Sequence, residues 1–215
     1  MSEPVRLQLF HDALCAWCAV AVERVFALER DFGDLLSVTL RPFPLRPDEQ
    51  LVGRPEAAKV SRRLKRAARE PEGQGMVADL WQGDDRPLSS MPPLIALEAA
   101  LVQGRDAQRA FLRKLHENAL KRGINVARRD VLFELASTVG LDVPRFALAF
   151  DSSATVRAVE LSHREALGRG VRAIPAIAVG EDWLLTGARP LCEYREVVRG
   201  WMQQHRDHPR ARVIH

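Results

Sequence analysis

The chemistry open to this chain is concentrated in Phe10-His-Asp-Ala-Leu-Cys15-Ala-Trp-Cys18-Ala-Val20, where two thiols stand three residues apart. If Cys15 ends a loop and Cys18 lies in the first turn of a helix, both sulfurs share one face and can close a small disulfide. A helix N-terminus carries unpaired N–H groups and roughly half a positive charge, which favours a thiolate over a thiol. On that geometry Cys15 is the nucleophile and Cys18, one turn inside, resolves a mixed disulfide. Two other readings share the spacing. A zinc knuckle uses the same pair but normally needs a second pair of ligands, and only Cys192 and scattered histidines are on offer, so no metal is expected. Two buried thiols would also fit, because free cysteine is among the most buried residue types.

The elements around the motif suit a redox pair. Val5-Arg-Leu-Gln-Leu-Phe10 alternates apolar and polar residues, as a half-buried strand does, and runs directly into the dithiol. From Cys18 to about Arg30, Val22, Val25, Phe26 and Ala27 supply the apolar face of a helix, with Arg24 and Arg30 on the polar one. Phe32-Gly-Asp34 stops that helix. Leu36-Ser-Val-Thr-Leu40 alternates again, and Arg41-Pro-Phe-Pro-Leu-Arg-Pro47 forbids an immediate helix. Strand, helix and strand at this length make a βαβ unit of an α/β fold.

At 215 residues and 47% hydrophobic content, the chain can bury a sizeable core as one domain or as a domain with a large insertion. The start, Met1-Ser-Glu-Pro-Val-Arg6, has neither a cationic n-region nor a long apolar h-region, and no uncharged run is long enough to cross a bilayer. A reducing cytoplasm is therefore the expected compartment, and a disulfide there is catalytic more often than structural. A net charge of +4, with a pI of about 9.3, is too mild to argue for nucleic acid.

Beyond Pro47 strand patterning nearly vanishes until about Leu167, which reads as an inserted helical domain. Its first helix, Pro55 to Arg69, carries Lys59, Arg62, Arg63, Lys65, Arg66 and Arg69 around an apolar stripe of Ala57, Val60, Leu64 and Ala67. Such a face is a solvated surface or a docking site for an acidic partner. Ser89-Ser-Met-Pro-Pro93 reads as a helix start with a serine cap, the serines being caps and not nucleophiles. Further helices are expected over about 107–122, 129–139, 144–150 and 152–167. His116 and His163 lie within them without a ligand-spaced companion.

Strand character returns at Val171-Arg-Ala-Ile-Pro175-Ala-Ile-Ala-Val179 and at Trp183-Leu-Leu-Thr186. A proline inside the first of these belongs at a strand start or edge, and a cis Ile174–Pro175 bond would place it at a tight bend. A final amphipathic helix is expected over 191–204, followed by a frayed tail from His205.

Taken together, Asp12-Ala-Leu-Cys15-Ala-Trp-Cys18, the helical insertion, Gly170-Val-Arg-Ala-Ile-Pro175-Ala-Ile-Ala-Val-Gly180 and Thr186-Gly-Ala-Arg-Pro190 resemble the DsbA family of dithiol oxidoreductases, most of all its cytoplasmic branch with a Cys-Pro-Trp-Cys site. The resemblance covers nearly the whole chain. It implies a thioredoxin fold whose two parts, 1–47 and 168–215, are split by a helical domain at 48–167, with the loop before Pro175 facing the dithiol. It also implies that Cys15 attacks, that Cys18 resolves, and that Ala16, Trp17, Ile174 and Pro175 contact the substrate. Ala16 stands where that branch carries proline, and residues between the cysteines affect redox potential, so the direction of electron flow is not carried over. Glu23, the first acid after the dithiol, is a proton-relay candidate or a solvent-facing glutamate. Cys192 is a second reactive thiol or a core residue.

Three function classes follow. The first is a thiol–disulfide oxidoreductase acting on protein or peptide thiols, needing no resident cofactor, with glutathione as a candidate redox partner. The second is a glutathione-dependent isomerase or transferase of the hydroxychromene-carboxylate isomerase or kappa type, which has no need of a resolving cysteine. The third is a binding module or chaperone that kept the fold. Neither a membrane nor a nucleic-acid partner is expected, and the sequence leaves the oligomeric state open.

Overall fold

In the computed structural model residues 3–207 are described. β1 (Val5–His11) pairs in parallel with β2 (Leu36–Pro42) from Val5↔Leu36 to His11↔Pro42, the two being joined by α1 (Ala16–Phe32). On its other edge β1 runs antiparallel to β3 (Ala176–Val179), which pairs with β4 (Trp183–Thr186), giving the order β2-β1-β3-β4. The period-two pattern sorts the sheet's faces. Val5, Leu7, Leu9, Val38, Ile177 and Val179 join the core beneath α1, whereas Phe10, Ala176 and Ala178 turn the other way to meet Phe43, Ala166 and Val171. Each such fully buried Val, Leu, Ile or Phe contributes about 1.5–3 kcal/mol of transfer free energy.

Between β2 and β3 the chain is helical: α2 (Arg54–Ala67), the short α3 (Asp79–Gln82), α4 (Met91–Leu101), α5 (Arg105–His116), α6 (Arg129–Thr138), α7 (Val143–Phe150) and α8 (Ser153–Gly168). The core continues without a break from under the sheet into this region, through Leu94, Leu97, Phe111, Leu115 and Phe146. α9 (Leu191–Asp207) returns to pack on α1.

Several boundaries differ from expectation for identifiable reasons. Strand structure begins only at Ala176, because Pro175 has no N–H to give the ladder; the Ile174–Pro175 bond is cis. α9 runs on through His205, whose ring stacks on Trp201 at 3.8 Å between centroids, so the tail expected from His205 does not begin there. The rest of that tail, 208–215, lies outside the described residues. α3, a single turn of 4 residues, is too short to leave a helical period in the sequence. The cap of α4 is Ser89, whose Oγ accepts the Met91 N–H at 3.0 Å, while Ser90 gives no side-chain cap.

Arg24, expected on a polar face, is 6% exposed. Its guanidinium donates to Glu72 at 3.0 and 2.9 Å, to Glu70 at 2.5 Å and to the Arg189 carbonyl at 3.2 Å. The carboxylates reach it because Gly73, which follows Glu72, lies against the end of α2; a Cβ at Gly73 would fall 2.0 Å from the Ala67 carbonyl oxygen. Arg24→Met removes these charged hydrogen bonds and leaves Glu70 and Glu72, both partly exposed, to turn to water. The expected loss is about 2 kcal/mol, read as a lower urea midpoint with an unchanged m-value.

Candidate active site

β1 delivers the chain to a loop, Asp12-Ala-Leu14, and Cys15 then caps α1 in extended conformation (φ −93°, ψ 110°). The loop is tied down by Asp12. Its carbonyl accepts the Cys15 N–H at 3.1 Å, and its carboxylate oxygens accept the N–H groups of Leu14 and Leu45, each at 2.8 Å. Asp12 is fully buried; that burial raises its pKa and outweighs the hydrogen bonds from Leu45, Leu14 and Ser90. Ser90 completes the junction by accepting the Arg46 N–H at 3.0 Å.

Cys15 is half-buried and its Sγ accepts the Cys18 N–H at 3.3 Å, a free helix-end donor aimed at sulfur. Cys18 is 0% exposed. Burial first, then a hydrogen bond with Cys15 and that sulfur's charge, push the Cys18 thiol well above its ordinary pKa, against a smaller opposing bond from the Asp12 backbone. Cys18 is therefore held as a thiol behind the Cys15 sulfur. Cys15, Cys18 and Cys192 are all free thiols in this structure.

Cys15 opens onto a cavity of about 430 Å³. Leu14, Ala16 and Trp17 line it beside the sulfur, Leu45 and Arg46 come from the loop after β2, and α2 forms the far wall. Cys15, Ala16 and Trp17 are thus brought together. Ile174 and Pro175 do not line this cavity. The antiparallel register, Phe10↔Ala176, sets Pro175 one step further, across from His11 at the end of β1. Pro175 is buried, and Ile174 is half-buried against the Phe10 side of the sheet.

The remaining candidates resolve by position. Glu23 is bound on both oxygens by Arg113 of α5, at 2.9 and 3.1 Å. Cys192 is exposed, not core. His163 lies edge-on to Phe43 at 4.6 Å. His116 is buried near His11; burial lowers both, His11 to about 4 and His116 to about 3, and the charge of His11 adds to the second. Sequence reasoning missed Asp12 as the anchor of the site, although an Asp two residues before a loop N–H is the signal of an Asx turn.

Residues 6–199 match the DSBA-like thioredoxin domain. The chain belongs to this family. Among curated relatives of this DSBA-like chain is the ClpXP adapter protein SpxH of Halalkalibacterium halodurans, 25% identical over 193 residues, which are 84% of this chain and 60% of the relative. The chain thus spans about 60% of the length of that relative. Among solved structures, a candidate protein disulfide isomerase from Nitrosomonas europaea superposes with a TM-score of 0.86 at 19% identity, over 94% of this chain and 100% of that one. The cytosolic disulfide reductase DsbM from Pseudomonas aeruginosa, also solved with GSH, gives 0.70 at 24% identity, over 94% and 98%. At these identities the likeness is one of fold, and it shows the DSBA-like chain to have the thioredoxin fold with helices set between its second and third strands.

Two measurements follow from the site's electrostatics. Asp12→Asn leaves one buried N–H, of Leu14 or Leu45, without its acceptor, and unfolding by urea should show a loss of about 1–3 kcal/mol. His11 and His116 have folded pKa values below the ordinary 6.5, so below pH 6.5 the unfolded chain binds more protons than the folded one. Stability should fall as pH drops from 6.5 toward about 4, by up to about 1.4 kcal/mol per pH unit for each histidine, and His116→Gln should remove its share of that slope.

Proposed function

We propose that this chain is a thiol–disulfide oxidoreductase working on protein or peptide partners through Cys15 and Cys18. The observation that carries the reading is the division of the pair: Cys15 faces a cavity with a backbone N–H on its sulfur, and Cys18 lies closed off behind it as a thiol. In the forward step the Cys15 thiolate attacks one sulfur of the partner's disulfide; that S–S bond breaks, and the other partner sulfur leaves as a thiolate and is protonated by water. Cys18 then gives up its proton and attacks the Cys15 sulfur. A Cys15–Cys18 disulfide forms and the second partner thiolate is released. The proton that Cys18 gives up ends on that departing partner thiolate, so the exchange balances. Run in reverse, the same steps oxidise a dithiol.

Ala16 and Trp17 are assigned to hold the partner chain beside Cys15, and Ile174 and Pro175 to hold it from the loop before β3. The chain is read as a thioredoxin unit of 1–47 and 168–215 carrying a helical unit of 48–167. A cytoplasmic setting is supported by the likeness to cytosolic DsbM. Glutathione enters as a redox partner, supported by the structure of DsbM with GSH.

A second reading, a protein-binding adapter, is favoured by the SpxH relatives. The cysteines separate the readings. Cys18→Ser should accumulate covalent adducts on Cys15 with a partner thiol or glutathione, seen as added mass that dithiothreitol removes, and Cys15→Ser should abolish both insulin reduction and oxidation of a reduced protein. Full partner binding with neither activity present in the wild type would favour the adapter. Glutathione-dependent turnover unaffected by Cys18→Ser would favour an isomerase, where glutathione is itself the nucleophile.

A further inference from the structure

The far wall of the Cys15 cavity is a strongly charged feature that the proposed chemistry leaves unused. α2 carries six cations, Arg54, Lys59, Arg62, Arg63, Lys65 and Arg66, against a single acid, Glu56. That acid is already committed, accepting from Arg46 at 3.0 Å. On α1, α5, α6 and α9 at least one arginine meets a carboxylate: Arg24 with Glu70, Arg109 with Glu29, Arg129 with Asp151, Arg195 with Asp31. Among the described residues no cation of α2 lies within salt-bridge distance of an acid.

Two of these cations, Lys59 and Arg63, line the same cavity as Cys15. They stand four residues apart on one face, an arrangement of like charges that disfavours the free helix and that a bound anion would relieve. Val60 and Leu64 of α2 and Leu14 and Trp17 beside the sulfur line the same cavity, so the cleft offers apolar contact together with positive charge. The charged row does not stop at the cavity. Arg66, exposed and one turn beyond Arg63, continues it, so Lys59 to Arg66 spans about 10 Å of helix, the length of about three residues of extended chain.

We infer that Lys59 and Arg63 form a selectivity wall that draws to Cys15 thiol and disulfide partners carrying carboxylates within a few residues of the reacting cysteine, the occupant being an acidic polypeptide segment. The length of the row beyond the cavity favours a polypeptide over a small anionic thiol. The inference rests on Cys15 as the attacking sulfur. The charges leave the covalent step itself untouched and act on encounter, so they raise the rate for the right partner and fade with salt.

The test uses two peptides, each with one cysteine held as a mixed disulfide with thionitrobenzoate, identical except for Glu or Gln at the positions two and three residues from the cysteine. Attack by Cys15 on the peptide sulfur breaks the S–S bond and releases coloured thionitrobenzoate, and attack by Cys18 then frees the peptide thiol. The reduced wild-type protein should react with the Glu peptide about tenfold faster than with the Gln peptide at low salt, and the ratio should fall toward one at about 0.5 M salt. Lys59→Glu with Arg63→Glu should bring the ratio to one or below, and Lys59→Arg should keep it. A wild-type ratio near one, or a ratio unchanged in the double variant, overturns the inference. So does a charge preference seen with glutathione disulfide over its ethyl ester but absent from the peptides, which would make the wall a small-molecule site. If the double variant does not fold, the wild-type salt dependence decides. Cysteine-to-serine versions of the peptides, followed by fluorescence anisotropy, keep the two proposals apart. Tighter binding of the Glu peptide without any exchange would sink the oxidoreductase and leave the wall standing; equal binding of both peptides would overturn the wall.

Discussion

A buried carboxylate with both oxygens given to backbone amides is the constraint on which this structure turns. Asp12 sits where β1 ends, and through Leu14 N–H and Leu45 N–H it fixes two loops to each other, the one that presents the cysteines and the one that leads from β2 toward α2. Ser90, at the start of α4, joins the same junction through the Arg46 N–H. Sequence-distant segments are thus held together by hydrogen bonds to one group, and an unmet N–H there would cost about as much as several favourable surface contacts together contribute. The cavity before Cys15 exists because of this tie, since its two sides are the two loops and the helix that the second loop delivers.

The same logic extends along α1, whose N-terminus must stay in register with the sheet if the Cys18 N–H is to point at Cys15. Packing supplies most of this: Val20, Ala21, Val22, Val25 and Leu28 are all fully enclosed. Polar ties add direction. Arg24 joins the helix to Glu70, Glu72 and the carbonyl of Arg189. Near its end Glu29 accepts the Val38 N–H of β2 at 2.9 Å and meets Arg109 at 2.6 Å. A helix held at both ends and enclosed between them transmits the position of the sheet to its first turn, and that turn carries the chemistry.

How far this was legible in the sequence depends on whether the controlling contact is local. β1, α1 and β2 were legible because alternation, helical spacing and a Gly stop are local signals, and the βαβ connection restricts how they assemble. The dithiol's place at the helix start was legible for the same reason. Arg24 was not, because its partners lie 46 and 48 residues away and a charged residue in a helix looks solvated until they are known. Asp12 was read as part of a motif but not as its anchor, because one oxygen binds locally while the other reaches Leu45. Cys192 follows the same rule: residue type suggested burial, and only the position of α9's outer face gave exposure. At 171–175 the apolar run looked like strand, yet a residue without an N–H at its end meant that pairing starts one residue later.

Those ties also bear on how strongly the pair would hold electrons. In the dithiol the Cys15 sulfur accepts one N–H and one thiol hydrogen bond, and closing a disulfide removes the second donor altogether. Every interaction specific to the reduced form makes the pair a better oxidant, and 1.4 kcal/mol corresponds to about 30 mV for a two-electron couple. One hydrogen bond of about 1 kcal/mol is then worth roughly 20 mV. The span between a strong reductant and a strong oxidant of this fold is about 150 mV, so the thiol hydrogen bond alone covers only a small part of it. The Cys18 N–H, the other donor on that sulfur, comes from the first turn of α1, so the placement of the helix that Asp12 and the packed core fix bears on the pair alongside the resolving thiol.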